Sequence, residues 1–285
     1  MKLVAFKEVV DALRALGIGK GDIVHVQSDL RSIGPAEAPL TKEGQCGFYL
    51  KALQTVVGEG GTITCCTAFE DYARYGTPFN LEASPSRTDM LSEFIRTRKG
   101  AIRSMHPIVS ITGIGPLAQN ICGGTHFNGF GYNSPWGRLH QADAKILNLG
   151  IPSNTEGGMT FLHYCEAMYG VPYQYIKLYT IPVSVAGKIV EKPFSMHVRY
   201  LDFAIENSVN NIKSRFLKEG LAKEKKTGRS SSLCISAKTA FSAMMKYLNE
   251  DLYIYLKTKP TFRDGVQPTD GPTGEMRKMH DKAST

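Results

Sequence analysis

The sequence predicts an α/β fold with a largely parallel sheet, helices on both of its faces and an antiparallel hairpin added after it. Three observations carry that expectation. Short β-branched runs alternate with helical stripes of apolar residues as far as Gly170, the rhythm of a strand, a crossover helix and a returning strand. The helical stripes stop at Gly17, Gly58 and Gly100, the residue type that ends helices most cheaply. Beyond Pro172 the pattern turns to alternating strands around Ala186-Gly187-Lys188, a hairpin-turn signal.

Val9, Leu13 and Leu16 place a helix over residues 5–17, and Ile23-Val24-His25-Val26 follows as a β-branched strand. Gly44 to Val57 reads as the next helix and Gly61 to Cys66 as the second strand. Thr88 to Lys99 is a third helix, Ile108 to Thr112 and Lys145 to Leu149 are short apolar strands, and a further helix starts near Met159. Tyr175 to Tyr179 and Ile181 to Ile189 form the expected hairpin on the sheet, and helices follow over roughly 203–218 and 236–249. Lys223 to Arg229 reads as a basic loop, either a solvated linker or an anion contact. From Thr258 on, polar residues dominate with Phe262 and Val266 as the strong apolar anchors, so 1–257 is taken as the folded domain and 258–285 as a flexible tail.

With 285 residues, 42% of them apolar and 21% charged, the chain is long enough for a sizeable core, and general disorder is excluded. Six cysteines lie scattered without C-x-x-C pairs, which favours reduced thiols over a disulfide frame or zinc ribbon. No apolar run is long enough to span a bilayer and the N-terminus shows no signal-peptide pattern, so a cytoplasmic location is the default expectation. A formal net charge of +8 favours anionic partners without choosing among them.

The densest chemical cluster is Thr160-Phe161-Leu162-His163-Tyr164-Cys165-Glu166. Helical spacing brings Thr160, His163 and Glu166 to one face. A carboxylate on one imidazole nitrogen fixes the tautomer and leaves the other nitrogen to take a proton, the arrangement of a general base. The same spacing also makes a structural ion pair, or half of a metal site for which no third ligand is evident. The polar loop from Gly150 to Gly158 leaves the carboxyl end of a strand, where open α/β sheets bind ligands. Arg103-Ser104-Met105-His106-Pro107 offers groups that grip an anion, or else a turn whose histidine bonds backbone. Ser28-Asp29-Leu30-Arg31-Ser32-Ile33-Gly34, after the first strand, is neither a Rossmann nor a Walker loop. Ser134-Pro135-Trp136-Gly137-Arg138-Leu139 holds the single tryptophan, read as a core anchor.

These segments, in this order and together with Gly60-Gly61-Thr62 and Leu149-Gly150, resemble the aminoglycoside 3-N-acetyltransferase family over about residues 5–245. The resemblance implies a single αβα domain that binds acetyl-CoA and an amino sugar in one cleft and passes the acetyl group directly to a primary amine. It also implies that His163 is the base, that Glu166 supports it, and that Ser28, Leu30, Arg31, Ser32, Gly34, Thr67, Arg103, Ser104 and His106 line the coenzyme channel. Thr160, a backbone N–H or Thr67 would supply the oxyanion donor. No metal is implied. The chain departs from the family at Gln27-Ser28-Asp29-Leu30, where a His-Ser-Ser-Leu-like run is usual, and in a longer loop before Thr160.

Aminoglycosides are polycations whereas this chain is basic, so a nucleotide-linked aminodeoxysugar is the acceptor expected from charge, with an aminoglycoside as the rival. Glu156 and Asp202 are candidate acceptor contacts. A Cys165 acyl-enzyme is disfavoured because residues two apart on a helix point about 200° apart. A nucleic-acid-binding module is disfavoured because no helix carries a dense basic face.

Overall fold

The computed structural model describes residues 3–200, 203 and 205–261. Asp202, Phe262, Val266 and most of the expected tail therefore lie outside the described residues. Along the chain run α1 (Phe6–Ala15), β1 (Ile23–Ser28), α2 (Leu30–Ile33), α3 (Lys42–Val57), β2 (Thr62–Cys66), α4 (Asp71–Tyr75), β3 (Phe79–Asn80), α5 (Met90–Arg96), β4 (Ile102–Arg103), β5 (Ile111–Ile114), α6 (Ala118–Cys122), α7 (Pro135–Gln141) and β6 (Lys145–Leu149). They are followed by α8 (Phe161–Tyr169), β7 (Gln174–Tyr179), β8 (Val183–Val185), β9 (Lys188–Val190), β10 (Phe194–Arg199), α9 (Val209–Lys218), β11 (Lys223–Thr227), β12 (Ser230–Ser236) and α10 (Ala237–Glu250).

The central sheet has the order β11-β12-β6-β1-β2-β5-β4. β1 is parallel to both β6 and β2, while β12 and β5 run against them and β11 and β4 run with them, so five of the seven strands share one direction. Alternation along each strand feeds two cores. Val24, Val26, Ile63, Cys65, Leu147 and Leu149 point into a layer with α1, α3 and α5. Cys66, Ile111, Ile146, Leu233 and Ile235 point the other way, against α6, α7, α8 and α10. Every residue of β1 is buried, as expected of a central strand covered on both faces. Trp136 is the anchor the sequence suggests: it is fully buried, its indole N–H donates to the Val109 carbonyl at 3.0 Å, and His25 packs edge-on against it. Gly137 beside it must be glycine, since a Cβ there would come within 1.9 Å of the Tyr132 carbonyl oxygen.

Two sequence expectations change. The Ala186-Gly187 turn is present, with both residues at positive φ, but its strands β8 and β9 join β3 in a separate three-stranded sheet rather than the central one. β7 pairs instead with β10, because the alternating Phe194, Met196 and Val198 give it a buried antiparallel partner. The basic segment from Lys223 is not a loop but the edge strand β11, with Lys223, Lys225 and Lys226 exposed; lysines on an edge discourage pairing with another chain.

Candidate active site

α8 enters from the carboxyl end of β6 through the loop 150–159, the last part of which is conformationally demanding: Gly157, Gly158 and Met159 have φ of 95, 69 and 57°. Thr160 follows at the helix start and is clasped by Gln27 of β1. The Gln27 side-chain oxygen Oε1 accepts from the Thr160 backbone N–H, and its side-chain Nε2 donates to Thr160 Oγ1, both at 2.8 Å. With Oγ1 accepting from Gln27, the Thr160 hydroxyl proton is left to donate into the cleft that it lines.

One turn further on, His163 Nδ1 lies 2.7 Å from Glu166 Oε2. Glu166 is fully buried, and its other oxygen accepts from the Tyr173 hydroxyl at 2.7 Å and from the Asn207 amide at 3.5 Å. A carboxylate that only accepts requires the proton to sit on Nδ1, which leaves the lone pair on Nε2. Phe130 and Tyr255 flank the ring at centroid distances of 6.4 and 5.8 Å. Burial, with Glu166 nearby, drives the Tyr255 hydroxyl well above the usual tyrosine range, so it stays neutral. The His163 side chain is 37% exposed and opens on a cleft of about 350 Å³ lined also by Thr160, Thr88, Asn207, Met196 and Arg199.

Beside this cleft lies a groove of about 270 Å³ formed by Ser28, Asp29, Leu30, Arg31, Asp89 and Met90. Consecutive residues connect the two, Thr88 lining the cleft and Asp89 the groove. Asp89 is a partly buried carboxylate, raised by desolvation, that accepts from the Ser28 hydroxyl at 3.1 Å and caps α5. Ser32 sits exposed next to the groove with its hydroxyl bonded to Asp29.

The remaining expected contacts are placed elsewhere. The Arg103 guanidinium donates to the carbonyls of Leu81, Ser84 and Thr67 and to the Ser110 hydroxyl, over the Phe79 ring. Ser104 closes the turn between β4 and β5 by bonding Ile111 through both its backbone N–H and its hydroxyl. His106 is buried, with Nε2 against the Ser195 carbonyl at 3.0 Å. Thr67 is fully buried, its hydroxyl within 2.9 Å of Thr112 Oγ1, so it does not reach the cleft. Gly34 packs against the Arg229 side chain, where a Cβ would approach to 2.6 Å. Glu156 caps α9, accepting from the Val209 N–H at 2.8 Å. For Arg103, Ser104, His106 and Glu156, a polar residue that looks available in the sequence bonds a backbone group of the fold instead. Cys165, two residues from His163, is fully buried with its thiol pushed well above its ordinary range, which is no setting for a nucleophile.

The aminoglycoside 3-N-acetyltransferase family profile matches residues 24–249. The chain belongs to that family. The aminoglycoside N(3)-acetyltransferase III of Salmonella sp is 28% identical over 272 residues, covering 86% of this chain and 91% of the relative. The aminoglycoside N(3)-acetyltransferase VIII of Streptomyces fradiae is 31% identical over 206 residues, 65% of this chain and 68% of the relative. Among solved structures, aminoglycoside acetyltransferase AAC(3)-Xa superposes with a TM-score of 0.75 at 26% identity, over 87% of this chain and 94% of the other. The enzyme is thus an acetyl-CoA-dependent N-acetyltransferase. No group of three or more His, Cys, Asp or Glu side chains that could hold a metal occurs among the described residues, and none of their helices is long and apolar enough to cross a membrane.

The sequence missed Gln27, Tyr173 and Asn207, which hold Thr160 and Glu166 from distant parts of the chain. For Gln27 there is a signal: it stands where the family run usually begins with histidine.

Proposed function

We propose that the enzyme transfers the acetyl group of acetyl-CoA directly to a primary amine of an aminoglycoside, with His163 as general base, Glu166 as its orienting carboxylate and Thr160 as a donor to the tetrahedral oxyanion. The observation that carries this reading is the half-exposed imidazole, facing the cleft with Nδ1 tied to a fully buried glutamate. An amine is mostly protonated and non-nucleophilic near neutral pH, so a base must take its proton before or during attack on the thioester carbonyl. Nε2 takes that proton, and Glu166 steadies the resulting imidazolium. The new C–N bond forms as the thioester carbonyl oxygen takes up negative charge. A well-placed donor at that oxygen contributes about 3–4 kcal/mol. Collapse then expels the coenzyme thiolate, which the imidazolium protonates, and the freed Nε2 takes the second proton that the nitrogen sheds in becoming an amide and releases it to solvent.

Ser28, Leu30, Arg31 and Ser32 are proposed as coenzyme contacts, since their groove abuts the cleft at Thr88 and Asp89. The activity is assigned to residues 1–257, which include Tyr255 against the imidazole.

The names of the relatives support an aminoglycoside acceptor. One observation favours a nucleotide-linked aminodeoxysugar: among the described residues, the charged side chains lining the cleft are Glu70, Arg74 and Arg199, and Glu70 is already paired with Arg74. A polycation gains little from such a wall, whereas a diphosphate finds an arginine. Steady-state rates with acetyl-CoA and a panel of both acceptor types decide it. Aminoglycosides are expected to exceed the nucleotide-linked sugars at least ~10-fold in kcat/KM, a difference of about 1.4 kcal/mol. The reverse order would replace the acceptor and leave the base chemistry standing, and no transfer to either would remove both acceptors.

A further inference from the structure

We propose that Lys213, on α9 and outside the cleft, is a positioning residue for acetyl transfer: its ammonium pins the loop 150–159 so that Thr160 and His163 meet the cleft in a fixed geometry. The proposal rests on the roles assigned to those two residues above. Lys213 is completely buried, a position that lysine almost never occupies without partners. Its Nζ donates to the carbonyl oxygens of Pro152, Thr155 and Gly157 at 2.9, 2.6 and 3.2 Å, one ammonium satisfying three points along one loop. Three donors are all that the group has.

Two further anchors restrain the same loop. The Glu156 carboxylate reaches back to the N-terminus of α9, and Ser153 is held through its N–H and hydroxyl by Glu224 of β11 at 2.8 and 3.0 Å. Glu156 from the loop and Glu224 from β11 are the charged groups facing the ammonium, and both favour its charged form. Burial outweighs them and lowers Lys213 to about 8. The anchoring has something to hold against. Gly157, Gly158 and Met159 occupy the left-handed region in succession, a strained run for which Met159 lacks the freedom of glycine, and the next residue is Thr160. Released, the run would relax toward ordinary backbone angles and carry Thr160 with it. Displacements of an ångström at a reacting centre cost up to about 100-fold in rate.

Lys213→Met keeps most of the stem and removes the three donors. Expected is a kcat at least ~10-fold lower, with the KM for acetyl-CoA within about twofold, because the coenzyme groove lies on other elements. Faster backbone hydrogen exchange should be confined to residues 150–160. A variant that melts lower but has unchanged kcat at a permissive temperature would reduce Lys213 to a structural role and overturn the proposal. Should Lys213→Met fail to fold, hydrogen exchange of the unaltered enzyme still decides. Slow exchange at Ser153, Thr155, Met159 and Thr160 supports a pinned loop, and rapid exchange there overturns it. His163→Ala separates the two levels: an inactive His163→Ala beside a fully active Lys213→Met refutes the positioning role alone, whereas an active His163→Ala refutes the reading beneath it.

Discussion

His163→Ala is expected to lower kcat at least ~100-fold while leaving the fold and acetyl-CoA binding intact. The side chain is half-exposed and makes one hydrogen bond, to Glu166, so its removal opens no large cavity in either core. The buried Glu166 keeps Tyr173 and Asn207 on Oε1 and loses the imidazole from Oε2, so a modest stability loss is expected beside the rate loss. A rate loss that persists well below the variant's melting temperature therefore isolates the proton-transfer role. Steady-state kinetics beside a thermal melt make the measurement, and a variant within a few-fold of the native rate would refute the assignment.

The second large effect is on stability in acid. Burial lowers His25 and His106 to about 3 and His126 to about 4, and among the described residues Nε2 of His25 and Nδ1 of His106 are buried without a hydrogen-bond partner. Protonation would bury an unpaired N–H⁺ in both cases. In the unfolded chain these histidines take protons near 6.5, so the unfolded state binds more protons throughout the window from about 6.5 down to 3–4. The stabilisation is complete above that window and is lost as the pH falls through it. At pH 5 each histidine costs about 2 kcal/mol, or about 6 kcal/mol together, a large share of an ordinary domain's 5–15 kcal/mol. Asp89 works the other way: its raised carboxyl takes a proton in the folded state first and offsets part of the slope. At the alkaline end Lys213 adds stability as the pH climbs from about 8 toward its unfolded value of about 10.5, because there too the folded state binds fewer protons. Denaturant melts across pH 7 to 5 should show stability falling with a slope that steepens from under about one proton near pH 7 toward about three near pH 5, less the Asp89 offset. A flat profile would mean that the histidines are not buried neutral.

The parts of the fold legible in the sequence are those whose burial is periodic. α1, α3, β1, β2, β6 and α8 each show a stripe or a continuous apolar run because one or both faces meet a core. Strand direction leaves no such mark, so β5 was expected within a parallel rhythm and runs antiparallel to β2. β11 was unreadable for a related reason: as an edge strand facing solvent it is nearly all polar, and its pairing is carried by backbone. In the site, Thr160, His163 and Glu166 were readable because one helix brings them together. The backbone bonds of Arg103, Ser104 and His106 are not legible in the sequence, because an arginine satisfying buried carbonyls has the same residue pattern as one gripping a phosphate. Only the surrounding backbone tells them apart, and it comes from Leu81, Ser84 and Ser195, far away in the chain. Lys213 was silent for the same reason, since nothing next to it in the sequence announces the three carbonyls it holds.

The most direct test of the account is a crystal structure with coenzyme A bound. The thiol sulfur is expected inside the cleft between Thr160 and His163, with space for an amine nitrogen between an acetyl group on that sulfur and His163 Nε2, and with the rest of the coenzyme running along Ser28 to Ser32. A sulfur lying outside this cleft, or cut off from Nε2 by the protein wall, would contradict the account.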